Sequence, residues 1–279
     1  MIRKHWLNLI AIPSVLAVAA CADLQTQVPA WGPDLVAVTQ SNKLITFNHK
    51  SPGTLESASK ISGVQSGEDI VAIDYRPSDG KLYGLGGAGN LYVLDVNSGA
   101  AEFKSRLHAS PGDAFAGLSG QVFDIDFEPV AGFLTVVSND GQNLRVNADT
   151  GETMTQQSFD PQVATVVAVA YTTKPNGAFK TTEYAVNSKA KEISSVPWAG
   201  NTNLVTVGAI GTDIGNYAGF DIKGNEAGGT AYAAFSVPDS TTSKLYLIGL
   251  GSGSAKGQGT IGEGKEKVRS LAIRLSLSS

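Results

Sequence analysis

The chain has 279 residues, a formal net charge of −4 and only 21 lysines and arginines, a balance that argues against a nucleic-acid surface. Charged residues make up 16% of it, well below the roughly 25% of an average soluble domain. The 32 glycines and the low charge exclude a helical bundle or coiled coil, while a 42% apolar fraction is enough for one large domain or two small ones.

Residues 1–20 are predicted to be a signal peptide. Arg3 and Lys4 give a positive start, Leu7 to Ala20 form an apolar segment broken by Pro13, and small residues lead into Cys21. The segment is too short and wrongly flanked for a permanent membrane span. Val18-Ala19-Ala20-Cys21 resembles the lipobox of bacterial lipoproteins, and Cys21 is the only cysteine of the chain. That resemblance implies a diacylglyceryl group on the Cys21 thiol, cleavage before it and acylation of the new amine. Several acyl chains would hold the protein at a bilayer, where one alone is marginal. The alternative is an ordinary signal cut nearby that leaves a spare thiol. The expected location is the bacterial cell envelope, lipid-anchored, and Ala22 in place of Asp resembles outer-membrane sorting if the host is Gram-negative. Residues 21–33 carry two prolines without periodicity and read as a tether, with the folded domain over 34–279.

Short alternating strands then recur. Leu35–Thr39 and Lys43–Asn48 form a first pair. Leading strands follow at Ile70–Pro77, Val122–Pro129, Val166–Thr173, Tyr217–Gly224 and Val268–Leu275, with starts 52, 44, 51 and 51 residues apart. After most of them come two further strands: Leu82–Leu85 and Asn90–Asp95, Leu134–Ser138 and Asn143–Asn147, Ala231–Phe235 and Lys244–Leu250. Asn139-Asp140-Gly141-Gln142 is a strong hairpin turn between two of these. The first pair lacks a leading strand and the last leading strand lacks a pair, so the two ends together complete one unit. A ring closed in this way is an all-β propeller of five blades, with three or four strands each. A two-sheet sandwich also uses short strands and polar turns, but requires no self-closing period. Six blades or another all-β form are the remaining alternatives.

IVAIDYRPSDGKLYGLGGAGNLYVLDVNSG and FDIDFEPVAGFLTVVSNDGQNLRVNADTGE, with the opening VAVTQSNKLITFNHKSPGT and ISGVQSGEDIVAID, resemble DUF4394, a bacterial domain of unknown function. The similarity runs through most of Leu35 to Leu275 and is densest from Ile61 to Glu152. It implies a β-propeller in an exported protein and no particular activity. The chain departs from the family pattern at Glu128, where Asn is usual, and at Gly132-Phe133-Leu134-Thr135, where an Asp-Arg-Leu-Arg run is usual; Gly141 to Asn147 is kept.

Asp124, Asp126 and Glu128 alternate and so share a face. Asp74 and Asp221 take the place of Asp126 in their own units, and Arg76 that of Glu128; Ala170 breaks the series. Leading strands of propellers lie nearest the central channel, so these carboxylates are expected to converge there. Asp74, Asp126 and Asp221 could ligate Ca²⁺, the only cofactor to consider, and Asp124 with Glu128 could serve as an acid pair. The competing reading is that each Asp satisfies backbone N–H groups or a turn within its blade. Repetition favours that reading, since catalytic groups tend to break the symmetry of a repeat. Asn143 and Arg145 share a face, where Arg145 is expected in an inter-blade salt bridge more than in a ligand clamp.

Other motifs fail on context. Gly84 to Gly89 matches G-x-G-x-x-G between two strands, without a following helix. Gly259 to Lys265 matches G-x-x-x-x-G-K, but Glu266 follows and the surrounding Gly249–Lys267 reads as a flexible loop. His49 and His108 have no nucleophile elbow or zinc spacing beside them. Trp31, Trp198, Tyr83, Tyr92 and Tyr232 could line a groove, though tyrosines within strands more often pack between blades. The function expected is a membrane-anchored, monomeric binding or scaffold module for a protein or glycan ligand. The alternative is a propeller hydrolase acting on glycans through channel carboxylates.

Overall fold

A computed structural model describes residues 34–160, 162–172, 181–197, 202–224 and 229–275. The signal segment, Cys21, the tether to residue 33, Trp31 and Trp198 lie outside the described residues. Within them the chain is strand and turn, and no helix is long and apolar enough to cross a membrane.

β1 (Leu35–Thr39), β2 (Lys43–Phe47) and β3 (Leu55–Lys60) form an antiparallel meander. β4 (Ile70–Tyr75), β5 (Leu82–Gly86), β6 (Asn90–Leu94) and β7 (Ala101–Arg106) form the next. The third sheet has five strands, β9 (Phe123–Phe127), β10 (Leu134–Ser138), β11 (Asn143–Val146) and β12 (Glu152–Thr155), with the two-residue β8 (His108–Ala109) paired in parallel on the outer side of β12. The fourth sheet comprises β13 (Val166–Tyr171), β14 (Glu183–Asn187), β15 (Glu192–Val196) and β16 (Val205–Ala209). The fifth comprises β17 (Ala218–Lys223), β18 (Thr230–Ser236), β19 (Ser243–Ile248) and β20 (Ala255–Thr260). The last strand, β21 (Val268–Ile273), returns to pair antiparallel with β1, with Leu35 opposite Ile273 and Val38 opposite Ser270. The first sheet therefore runs β21-β1-β2-β3, and the protein is a five-bladed propeller whose first blade joins both ends of the domain. We number the blades 1 to 5 in that order.

The leading strands β21, β4, β9, β13 and β17 lie side by side in a closed ring. Each blade is sandwiched between two others, so strands near the axis are buried on both faces, as in β1, β5, β9 and β10. Apolar side chains fill each of the five junctions. Tyr83 and Phe127 meet edge-on at 5.2 Å between blades 2 and 3; Phe220 and Phe235 pack with Tyr184 between blades 4 and 5. Gly219 marks the tightest approach of two leading strands, since a side chain on it would run into the backbone of Ser270 and Leu271.

Two expectations change. Each blade has four strands, within the expected three or four, and blade 3 adds β8. Sequence periodicity did not place the outer ones, and β20 lies inside the stretch read as a flexible loop, followed by a 3₁₀ turn at Ile261–Gly264. The reason is that an outer strand needs only one partner for its hydrogen bonds and little apolar surface. AKGQGT forms a strand because β19 supplies the ladder, not because of its own propensity. The G-x-G-x-x-G run is the β5–β6 hairpin. Its backbone wraps the Glu68 carboxylate, which accepts the Ala88 N–H at 2.9 Å and the Tyr92 hydroxyl at 2.6 Å.

Truncation before Val268 removes the leading strand of blade 1 and leaves β1 with an unpaired apolar edge. Loss of the cooperative thermal transition is expected, measured by circular dichroism. A truncated chain that melts cooperatively at the full-length temperature would refute ring closure.

Candidate functional site

In each blade the leading strand pairs outward with its neighbour, which leaves its inner edge facing the axis. At one level of the ring that edge presents five N–H groups, those of Tyr75, Phe127, Tyr171, Ile222 and Ile273. A buried N–H without an acceptor costs about 1–3 kcal/mol. Three aspartates accept all five. Asp74 takes Tyr75 of its own strand at 2.7 Å and Phe127 of the next blade at 2.8 Å. Asp126 takes Tyr171 of the next blade at 3.3 Å. Asp221 takes its own Ile222 at 2.5 Å and Ile273 of the next blade at 2.6 Å.

The gaps in the repeat follow the same accounting. Each Asp serves the blade after it, so Ala170 and Ala272, at the equivalent positions of blades 4 and 1, leave the Ile222 and Tyr75 N–H groups without a carboxylate on the preceding blade to accept them. Those are the two N–H groups that Asp221 and Asp74 accept from their own strands. The aspartates thus accept backbone N–H groups, as the competing reading expected, but they chiefly bridge blades rather than satisfy groups within one.

A second level lies deeper. Asp124, 1% exposed, accepts the Val169 N–H at 3.2 Å and the Ser270 hydroxyl at 2.8 Å. Ser270 Oγ in turn accepts the Ile73 N–H at 3.2 Å. The sequence reading overlooked Ser270, although it occupies the place of Asp124 in its own repeat. Further out, the Tyr171 hydroxyl shares a hydrogen bond with Thr135 Oγ1 and donates to Glu183, both at 2.9 Å.

Burial raises the pKa of all four channel aspartates, Asp221 to about 6. The neighbouring carboxylates push Asp126 and Asp74 further up. Asp126 offers only one oxygen to an N–H and faces three other acids, so it is the natural holder of a proton. Burial likewise lifts Glu183 to about 7. Asp74, Asp126 and Asp221 each place an oxygen within 4.8 Å of the others. Five of their six oxygens already accept backbone N–H groups, which leaves a cation little unshared charge. The cavity they line, about 140 Å³ with Tyr171 and Leu275, is well below the roughly 300–1,000 Å³ of small-molecule sites.

The remaining candidates lie elsewhere. Asp124 lies on β9 and Glu128 just past its end, four residues on and about 13 Å away at the rise of extended chain, beyond the roughly 5–9.5 Å of glycosidase acid pairs. Glu128 instead accepts the Val130 and Ala131 N–H groups and the Thr181 hydroxyl, binding a turn of blade 3 to blade 4. Arg76 makes two parallel hydrogen bonds to Asp149 at 2.9 and 2.8 Å, which tie blade 2 to blade 3 with Lys104 on the same carboxylate. Asn143 is buried and donates to the Gln157 carbonyl. Arg145 makes no inter-blade salt bridge among the described residues; its guanidinium lies 3.9 Å from the centroid of the Phe133 ring. His49 pairs with Asp34 beside the Tyr232 ring, and His108 is exposed. Tyr83, Tyr92 and Tyr232 are buried packing residues.

Two predictions follow from the aspartate ring. Asp74→Asn and Asp221→Asn each turn an amide NH₂ toward a backbone N–H and are expected to cost about 1–3 kcal/mol in urea unfolding. Asp126→Asn keeps its single acceptor, replaces a carboxyl that already holds a proton and should cost less than about 1 kcal/mol. Millimolar calcium is expected to leave all of these curves in place, and a calcium-induced rise that Asp126→Asn abolishes would overturn the structural assignment.

The second concerns pH. The channel acids and Glu183 bind protons more tightly folded than unfolded, so their contribution is full below the unfolded pKa and is lost as pH rises through the folded values. Stability should therefore fall between about pH 4 and pH 7. Asp149, held low by Arg76 and Lys104, acts oppositely and only below that range. Tm is expected to rise on moving from about pH 8 to pH 5, less so in Asp126→Asn, and a flat profile would contradict the burial of these charges.

Comparison with known proteins agrees with the architecture. The chain has 11% identity to a chain from the crystal structure of a nidogen/laminin complex, covering 88% of this chain and 99% of that one at a TM-score of 0.52. A protein of unknown function from Bacteroides thetaiotaomicron has 13% identity over 81% of this chain and 57% of its own, at a TM-score of 0.45. At such identities the first likeness speaks for the fold alone. No curated protein matches the chain. The model of the domain of unknown function DUF4394 matches residues 43–272, from β2 to the closing strand. With its ring closed and its repeat accounted for residue by residue, the chain belongs to the DUF4394 family.

Proposed function

We propose that this protein is a lipid-anchored β-propeller of the bacterial cell envelope that works as a binding or scaffold module. The observation that carries a binding role is a cavity of about 440 Å³ at the edge of the ring, lined by residues of blades 2 and 3. Its size falls within the range of small-molecule sites, and the turns that frame it sit on rigid strands. The channel acids weigh against hydrolysis, because their oxygens hold the blades together and Asp124 and Glu128 are too far apart to act as a pair.

The anchor rests on Val18-Ala19-Ala20-Cys21. Acylated Cys21 would hold the chain to the membrane. The protein would act as a monomer, with a protein or glycan as its ligand, and in the outer membrane if the host is Gram-negative.

Cys21→Ser is expected to abolish labelled palmitate incorporation and to release the protein from membranes washed with high salt. Persistent fractionation with the membrane would refute the anchor. The released protein should still cosediment saturably with isolated envelope material, and its staying in the supernatant would refute the binding role.

A further inference from the structure

We propose that the cavity on blade 3 is a site for an organic monocarboxylate, with Arg145 as the group that receives the carboxylate. The inference deepens the binding-module reading and rests on it.

Arg145 on β11 stands opposite Thr135 on β10 and Met154 on β12, so the three side chains share one face of the blade. Phe133, two residues before Thr135, extends the same face. The Arg145 guanidinium lies flat enough on Phe133 to place its carbon 3.9 Å from the ring centroid, an arrangement that fixes the direction of its planar fork. Its Nε–H is buried without a hydrogen-bond partner, and its guanidinium makes no ion pair among the described residues. A buried donor left unmet costs more than the same donor in water, so the side chain is prepared for an acceptor that the described residues do not provide.

The other arginine of the cavity differs at its terminal nitrogens. Arg76 also has a buried Nε without a hydrogen-bond partner, but its two terminal nitrogens are matched by Asp149 through parallel hydrogen bonds, and Lys104 joins that carboxylate at 2.8 Å. Among the lining residues Arg76 and Arg145 balance Asp149 and Glu152, and Lys104 and Asp79 at the edge of that cluster balance each other, so the wall carries no net charge in a chain whose net charge is −4. Glu183, behind Arg145, is half protonated near neutrality and engaged by Tyr171, so it does not neutralise the guanidinium fully.

These charges select the ligand. Asp149 and Glu152 on the wall repel a dianion such as phosphate, whereas a single carboxylate matches the one open fork. Beside the fork the wall is apolar: Met154, 44% exposed, with Ala131, Gly132 and the Phe133 edge. A flexible thioether adapts to an apolar or ring-shaped stem. The cavity of about 440 Å³ holds such a stem together with its carboxylate.

The test uses the full chain labelled with ¹⁵N-arginine. The Arg145 Nε–H resonance, assigned by its disappearance in Arg145→Lys, is followed at constant ionic strength against phenylacetate, acetate, phenylacetamide and inorganic phosphate. Saturable shifts are expected with both carboxylates, about tenfold tighter for phenylacetate because of the apolar wall, and none with phenylacetamide or phosphate. Arg145→Met should abolish phenylacetate binding, and Met154→Ser should keep the resonance while erasing the preference over acetate. No saturable shift with either carboxylate, an equal shift with phosphate, or undiminished binding in Arg145→Met would overturn the proposal. Cosedimentation of Arg145→Met with envelope material separates the two readings: a chain that sediments but takes no carboxylate loses this site and keeps the binding role.

Discussion

Five strand edges facing one narrow axis set the central problem of this fold. Each leading strand hydrogen-bonds outward, and none can pair with its neighbours in the ring without merging the blades. Their inward N–H groups therefore need acceptors in a place nearly closed to water, where leaving them unmet is costly. Asp74, Asp126 and Asp221 provide those acceptors at one level, and Asp124 with Ser270 does so below it. Because most of these bonds cross from one blade to the next, the same side chains that satisfy the edge also join the blades.

That solution brings a second constraint. Carboxylates gathered within a few ångströms repel one another and lose solvation, so the ring tolerates them by holding protons and by directing backbone N–H groups at the oxygens. A centre occupied in this way is a poor place for chemistry, because changing the charge of one member disturbs the bonds that keep the blades together. Recognition is better placed at the periphery, where side chains can vary without opening the ring.

Blade 3 shows that division. Its leading strand carries Asp124 and Asp126 inward, while Glu128, just beyond the strand, locks a turn to blade 4. Its middle strands carry Phe133 and Arg145 outward to a cavity that the internal network does not fill.

Period and closure were legible in the sequence because they rest on alternation: apolar side chains recur every second residue in strands buried on both faces, and the two incomplete units at the ends add up to one. The convergence of Asp74, Asp126 and Asp221 followed from that register. The outer strands were not legible, since an edge strand such as AKGQGT draws its order from its neighbour's ladder rather than from its own side chains. Nor could the sequence tell which N–H each aspartate receives, that Ser270 joins them, or that Arg76 finds Asp149 while Arg145 finds only the face of Phe133. Those pairings join residues of different blades, or rows of one blade brought together by the hydrogen-bond ladder. By itself the sequence determined the repeat, its closure and which side chains point inward; the tertiary structure alone decided which polar groups satisfy one another and which keep a buried donor without a partner among the described residues, because that depends on distances between blades that no local pattern encodes.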